Sequence, residues 1–162
     1  KPIIFGGGMN ASFDTDGTRI YSEIPTVLEA GTPNIAGVIG LGAAISYLME
    51  IGMEKIEQYE QQLKQYLIKE LKNIPEVIIY NEESESGIIA MNYNGIFSQD
   101  LAIYLNKYHI CVRSGSHCAK ILKDEIGIKN TTRISLSFYN TKEEIDKFVM
   151  ALKNPNIKTD II

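Results

Sequence analysis

Apolar residues recur along the chain at spacings that predict helices in some segments and strands in others. From Met53 to about Lys72 they lie three and four positions apart with charges between them, which predicts a surface helix packed on one face. Short apolar runs at 77–80 and 87–92, separated by an acidic loop, predict two strands of a hairpin. Another hairpin is predicted over 11–21, where Asp and Gly residues between two short runs suit a tight turn.

Capping residues place the other helices. Asn34 precedes an apolar segment that is predicted to be helical to about Glu50, and Ser98 is predicted to cap a helix that runs through Lys107. Thr141 opens a last helix, in which Glu144 completes a capping box. Two more strands are predicted, at 110–112 and 133–137, whereas the residues after Asn154 show no pattern.

The order of these elements predicts an α+β fold, in which an antiparallel sheet is covered by helices on one face. The hairpin at 11–21 has no evident sheet partner in this chain, so residues 1–33 are assigned to the end of a neighbouring, larger domain. Residues 34–154 then form a small domain, and 155–162 a tail. The chain begins at Lys1, and a short strand leads at once into Gly6-Gly7-Gly8, which suggests a cut inside a larger protein.

Composition narrows the function classes. The chain has 162 residues, 44% hydrophobic and 22% charged, with a formal net charge of −4, which is typical of a soluble globular protein and argues against nucleic acid binding. The longest apolar stretch, Ile35 to Met49, is interrupted by glycines and is too short for a membrane span. The chain shows neither a signal peptide nor a second thiol placed as a disulfide partner, which predicts a reducing, cytoplasmic location.

The two cysteines have different surroundings. Cys118 lies in Arg113-Ser114-Gly115-Ser116-His117-Cys118-Ala119-Lys120, among small residues and near fixed cations, and such surroundings favour a reactive thiolate. The loop from Ser114 to Lys120 is predicted to be mobile. Cys111 lies in an apolar run that is predicted to be a buried strand, where it would be a small hydrophobic residue and His109 a core residue at the strand edge. The cysteine and histidine spacing does not predict a zinc site.

Anion binding is the other chemistry that the sequence suggests. Arg133, on a predicted strand, would hold a carboxylate in its planar fork, or else form an internal salt bridge to a glutamate. The turn at Gly6-Gly7-Gly8 is either a flexible connection or a phosphate cradle. Gly31-Thr32 lies just ahead of a helix and suits an anion, although most helix N-termini bind nothing. The glycines at 37, 40 and 42 are interpreted as sites of close helix packing.

Four segments resemble, in order, the C-terminal part of the cysteine desulfurases, which belong to the class V aminotransferase group of pyridoxal phosphate enzymes. They are Gly6-Gly7-Gly8, 29–34, 113–119 and 133–140. The pattern Arg-x-Gly-x-His-Cys-Ala is that of the branch with a short cysteine loop, which includes the selenocysteine lyases. The resemblance implies the small C-terminal domain of a fold type I pyridoxal phosphate transferase.

The resemblance also implies roles for residues of the cysteine segment. Cys118 would take sulfur from L-cysteine bound to the cofactor, leaving alanine and an enzyme persulfide, while the cofactor supplies the electron sink. Arg133 would grip the substrate carboxylate and Arg113 would shape the entrance beside the cysteine loop. His117 would position the loop or support the thiolate. A sulfur-acceptor protein, serving iron-sulfur cluster assembly or a related pathway, would then receive the sulfur.

Cofactor contacts implied by the resemblance fall on Gly6, Gly7, Gly31 and Thr32, which would reach across a homodimer to the phosphate of the partner's pyridoxal phosphate. The chain departs from the family pattern because it contains no His-Lys pair, so the lysine that binds the cofactor is not in it. The isolated chain is therefore predicted to be inactive. The alternatives are a selenocysteine lyase and a non-catalytic interaction module; a cysteine-dependent hydrolase is a weaker third.

Overall fold

A computed structural model describes residues 2–161 and divides the chain into two compact units, with the boundary between Glu50 and Ile51. The first unit begins with an antiparallel hairpin of β1 (Asn10–Phe13) and β2 (Arg19–Tyr21), which confirms the predicted hairpin. A short 3₁₀ helix (Thr26–Leu28) follows.

Helix α1 (Ile35–Ile51) begins in the first unit and confirms the helix predicted after Asn34. The Asn34 side chain caps it, because its Oδ1 accepts a hydrogen bond of 3.0 Å from the Gly37 amide. None of the α1 side chains is buried. A Cβ built on Gly40 or Gly42 would meet nothing within 4 Å, so the close helix packing predicted at these glycines is not found in the described chain.

In its described part, up to residue 161, the second unit contains three longer helices, four strands and two short helices. They are α2 (Met53–Leu71), β3 (Val77–Ile79), β4 (Ile88–Tyr93), α3 (Ser98–Asn106), β5 (Arg113–Gly115), α4 (Lys120–Glu125), β6 (Thr131–Ser135), α5 (Lys142–Leu152) and α6 (Ile157–Asp160). The strands form one antiparallel sheet in the order β3-β4-β6-β5. The predicted α+β class with an antiparallel sheet is confirmed.

The core of this unit lies on one face of the sheet. Strand side chains alternate between faces, and one set, including Ile89, Met91 and Ile134, packs with residues of α2, α3 and α5. The helices supply the other large members of the core: Leu63, Leu67 and Leu71 from α2, Leu101, Tyr104 and Leu105 from α3, and Ile145, Phe148, Val149 and Leu152 from α5. Helices therefore cover one face of the sheet, as the sequence predicts.

Local capping signals were partly correct. Thr141 and Glu144 form the predicted capping box at the start of α5, through Glu144 N to Thr141 Oγ1 at 3.3 Å and Thr141 N to Glu144 Oε2 at 3.1 Å. Ser98 does not cap α3. Phe97 occupies the N-cap position, and Ser98 is buried with its hydroxyl oxygen unpartnered within residues 2–161.

The segment at 109–112 was wrongly predicted to be a buried strand. His109 ends α3 in a left-handed conformation (φ 59°), with Ile110 N bonded to Leu105 O at 3.1 Å and His109 N to Asn106 O at 3.0 Å, the pattern of a Schellman cap. His109 is exposed, and so is Cys111. Strand β5 begins after Val112 because its pairing to β6 starts at Arg113.

Two short helices have no counterpart in the sequence prediction. Helix α4 follows the cysteine segment and ends at a Schellman cap, in which Gly127 (φ 74°) takes the left-handed position that suits glycine. Helix α6 lies in the predicted tail, where Ile157 is buried in the core. No single helix within residues 2–161 is long and apolar enough to cross a membrane, although α1 and α2 meet the length and composition criteria jointly, as a bent pair.

Candidate functional site

The face of the sheet opposite the core carries two arginines and leads to the segment that contains Cys118. Arg113 of β5 lies directly opposite Arg133 of β6, and Gly115 lies opposite Thr131. Side chains alternate between the two faces along β6. Thr132 and Ile134 are buried toward the core, so Thr131 and Arg133 point to the other face. The end of β5 leads directly into the cysteine segment, so the same edge of the sheet positions both arginines and the thiol.

Cys118 lies at the tip of a tight turn. The Ala119 amide donates to the Ser116 carbonyl at 3.0 Å, and the two residues between them, His117 and Cys118, have φ angles of 54° and 57°. Positive φ at both central positions is the signature of a type I′ turn, which normally contains Asn or Gly. For other L-residues this conformation costs about 1–2 kcal/mol per residue, and such strain concentrates at functional sites. The turn leaves Cys118 exposed.

His117 is anchored beneath the turn. Its Nε2 lies 3.0 Å from the Thr131 carbonyl, which can only accept, so Nε2 must carry the hydrogen and, in the neutral ring, Nδ1 keeps its lone pair. That Nδ1 is buried and unpartnered within residues 2–161. Burial lowers the pKa of His117 below its ordinary 6.5, and the charges of Lys123, Arg133 and Arg113 add to this, while the contact with Thr131 opposes it. The ring is therefore mainly neutral at pH 7.

The two arginines have no carboxylate partner in the described structure. None of the ion pairs formed within residues 2–161 includes Arg113 or Arg133, so the internal salt bridge weighed for Arg133 is not formed there. The Arg133 Nε is buried and unpartnered in the same range. Like charges placed directly opposite on neighbouring strands repel, and an anion bound to both guanidinium groups would relieve that repulsion.

Both thiols are free and exposed, so exposure alone does not distinguish them. Cys118 lies in the strained turn beside the arginines, whereas Cys111 lies in the irregular segment between α3 and β5. The loop predicted over 114–120 is shorter in the structure, because Ser114 and Gly115 belong to β5 and Lys120 begins α4.

In the first unit, the structure brings together the backbone of two glycine segments. The Gly31 amide donates to the Gly7 carbonyl at 3.0 Å, and a Cβ on Gly6 would approach the Ala30 carbonyl carbon and the Gly31 nitrogen to 2.9 Å. Gly6 therefore has no room for a side chain, and Gly31 has a φ of 88° that favours glycine. Thr32 follows directly, so the four predicted cofactor residues lie near one another within this unit.

Lys123 and Thr131 belong to this site but were not singled out from the sequence. Lys123 is buried, and its Nζ donates to Gly115 O at 2.6 Å and to Thr131 Oγ1 at 3.0 Å. Nothing in the local sequence distinguishes Lys123 from the exposed Lys120. Lys123 differs from Lys120 through its tertiary contacts with Gly115 and Thr131.

Comparisons with known proteins bear on the family and the fold of the chain. A family model described as aminotransferase class-V matches residues 1–148. A cysteine desulfurase of Wigglesworthia glossinidia brevipalpis is 39% identical over 147 residues, which cover 91% of this chain and 36% of that protein. The apo structure of a cysteine desulfurase from Thermococcus onnurineus NA1 matches with a TM-score of 0.86 and 36% identity, over 94% of this chain and 38% of that one.

A second solved structure, the cysteine desulfurase CsdA (S-sulfonic acid) from Escherichia coli, matches with a TM-score of 0.84 and 34% identity, over 93% of this chain and 37% of that one. The chain thus spans little more than a third of the length of the relatives that it matches.

Proposed function

Since the chain belongs to the class V aminotransferase family, we propose that it is the part of a pyridoxal phosphate-dependent cysteine desulfurase that carries the sulfur-accepting thiol. One observation carries the proposal: Cys118 is exposed at the tip of a strained turn that continues from β5, where two unpaired arginines face each other within the described structure. The proposal divides the chain at 33/34, between the end of a large domain and the small domain.

The proposed reaction is a sulfur transfer to Cys118. L-cysteine and the Cys118 thiol give L-alanine and a Cys118 persulfide: the carbon–sulfur bond of the substrate breaks, and a sulfur–sulfur bond forms on Cys118 Sγ. The turn serves this step by exposing the thiol on a short, restrained segment, which lowers the entropic cost of bringing Sγ to the substrate sulfur.

Arg133 is proposed to bind the carboxylate of the substrate, with Arg113 at the entrance beside it. A guanidinium forms two parallel hydrogen bonds to a carboxylate, and the buried, unpartnered Nε of Arg133 supplies a donor that requires such a partner. The neutral His117 cannot add a competing charge near pH 7. It holds the turn to β6 through Thr131 and is proposed to position the loop.

Members of this family depend on pyridoxal phosphate, which withdraws electrons from the substrate carbon skeleton. The glycine backbone of the first unit fits a phosphate in part. The Gly6 amide already donates to Met9 Sδ at 3.1 Å and the Gly31 amide to Gly7 O. Gly6 and Gly31 would therefore shape the backbone, and the Gly7 amide and the Thr32 hydroxyl, which form no hydrogen bond within residues 2–161, would hold the phosphate.

Intact mass after complementation tests the proposal. The chain is combined with the cofactor-binding part of a cysteine desulfurase, pyridoxal phosphate and L-cysteine, and compared with Cys118→Ser and Cys111→Ser. Cys111 is the matched control, because it is a second free, exposed thiol of the same chain. We expect the mass of one sulfur atom on the native chain and on Cys111→Ser, and none on Cys118→Ser. A complex that binds cofactor but leaves all three chains unmodified would instead support a non-catalytic interaction module.

The same assay can also test whether the full protein acts on sulfur or on selenium. Repeating it with L-selenocysteine tests the alternative: a chain that acts on L-selenocysteine and leaves L-cysteine unreacted would be a selenocysteine lyase, whereas sulfur gained from L-cysteine supports the desulfurase. We further propose a homodimer, a protein that accepts the sulfur and a cytoplasmic location, in which the two free thiols would remain reduced.

A further inference from the structure

Lys123 is a buried lysine without a carboxylate partner. Its side chain is only 6% exposed, and none of the ion pairs formed within residues 2–161 includes it. Burial accordingly lowers the pKa of Lys123. Burying a lysine costs free energy unless its donors are satisfied, and the acceptors that satisfy it are Gly115 O at 2.6 Å and Thr131 Oγ1 at 3.0 Å.

These contacts join both ends of the cysteine turn. The Lys123 side chain holds Gly115, the residue before the turn, and the Lys123 backbone amide donates to Ala119 O, the last residue of the turn, at 3.1 Å. Thr131 extends the connection, because its hydroxyl accepts from Lys123 while its carbonyl contacts His117. Lys123 therefore links Gly115, at the start of the turn, to Thr131 of β6. Thr131 also contacts His117, so both parts of the turn are tied to the same residue of β6.

The turn needs such a restraint. His117 and Cys118 both have positive φ angles, and residues other than glycine keep that conformation only where the surrounding structure holds them in it. Lys120, at the other end of the same short helix, shows the contrast: it is exposed, and its ion pair with Asp124 lies on the surface.

We propose that Lys123 is a positioning residue for the cysteine turn, tying Gly115 to Thr131 so that the turn presents Cys118 in one conformation. The proposal rests on the proposed function only in taking Cys118 as the reacting group. It concerns a residue that acts on the thiol through the backbone and does not touch the substrate.

Hydrogen exchange measured by mass spectrometry tests the restraint directly. Lys123→Met keeps the volume of the side chain but removes its charge and its two hydrogen bonds, while Lys120→Met removes a lysine three positions away that lies outside the network. We expect the amides of residues 114–119 to exchange about tenfold faster in Lys123→Met, with exchange in β4 unchanged, because local opening no longer breaks charged hydrogen bonds. Lys120→Met should match the native chain.

The titration of His117 provides a second readout, which responds to the charge of Lys123. The Lys123 charge is one cause of the lowered pKa of His117, so Lys123→Met should raise the titration midpoint of the His117 ring in NMR spectra, and Lys120→Met should leave it in place. An unmoved midpoint would show that the Lys123 charge is not held beside His117, and the exchange experiment decides whether Lys123 restrains the turn.

Equal exchange at 114–119 in Lys123→Met and Lys120→Met would overturn the proposal. If Lys123→Met does not fold, Thr131→Val removes one acceptor of Lys123 at constant shape, and unchanged exchange of the turn in that variant would overturn the proposal equally. The outcome is independent of the proposed function: faster exchange in Lys123→Met, together with no sulfur on the native chain in the mass assay, would keep the positioning role and reject the desulfurase.

Discussion

The two faces of the four-stranded sheet differ in what their residues do. On the core face Ile89, Met91 and Ile134 pack against three helices and are at most 9% exposed. On the other face Arg113 and Arg133 lie opposite each other without a carboxylate partner in the described residues, and Thr131 joins them to the cysteine turn. Because side chains alternate along a strand, one set of residues packs in the core and stabilises the fold. The neighbouring residues of the same strand are left to form the candidate site.

The largest effect is expected on the core face, at Ile89. Ile89→Ala should lower the free energy of unfolding by about 2–5 kcal/mol, because it leaves a cavity among buried side chains. Ile88→Ala is the matched control, since Ile88 is the neighbouring residue on the opposite face and is 38% exposed. It should cost less than about 1 kcal/mol. Equal losses in urea unfolding would contradict the division between the faces.

Thr131 and Thr132 offer a pair of neighbours with opposite expected signs. Thr131→Val should destabilise the fold by about 1–3 kcal/mol, since the buried Lys123 loses an acceptor. Thr132→Val should be neutral or stabilising, because it removes a buried hydroxyl oxygen that has no partner within residues 2–161. Thermal and urea unfolding measure both. Loss of stability in Thr132→Val similar to that of Thr131→Val would refute this assignment.

Cys118→Gly should have a higher free energy of unfolding than the native chain but should be unable to accept sulfur. Glycine adopts positive φ without the steric cost that Cys118 bears at 57°, so the variant should gain about 0.5–1 kcal/mol in the free energy of unfolding while losing the thiol. Cys111→Gly is the control: Cys111 is not among the residues with positive φ, and glycine there should be destabilising. A destabilised Cys118→Gly would show that the turn carries no strain.

The smallest expected effect is a pH dependence of stability that originates at His117, in the cysteine turn. The pKa of His117 is lowered in the folded chain, chiefly by burial, so below its ordinary 6.5 the unfolded chain binds the proton first. Stability should therefore fall as the pH drops from about 6.5 through the lowered folded value. His117→Gln keeps a side-chain donor toward Thr131 and should flatten this part of the curve. Parallel curves for the two chains would exclude His117 as the origin.

A large part of the fold was predictable from local pattern. The amphipathic period of α2, the two hairpins and the capping box of α5 are each encoded within a few consecutive residues, and all are confirmed. The motif around Cys118 likewise identified the residues that the structure gathers at one edge of the sheet. The errors fall at helix ends, as at Ser98 and His109, and where a short segment depends on contacts with residues far away in the chain.

The sequence by itself determined the α+β class and the helices with a strong period, and it singled out the segment that contains Cys118, because these depend on residue type and spacing. Only the tertiary structure decided that β5 begins at Arg113, that His109 ends a helix, that Cys111 is exposed and that Lys123, not Lys120, is buried. The start of β5 depends on pairing with β6, and Lys123 is held by its contact with Thr131 of β6. Such contacts between distant parts of the chain leave no periodic mark in the local sequence.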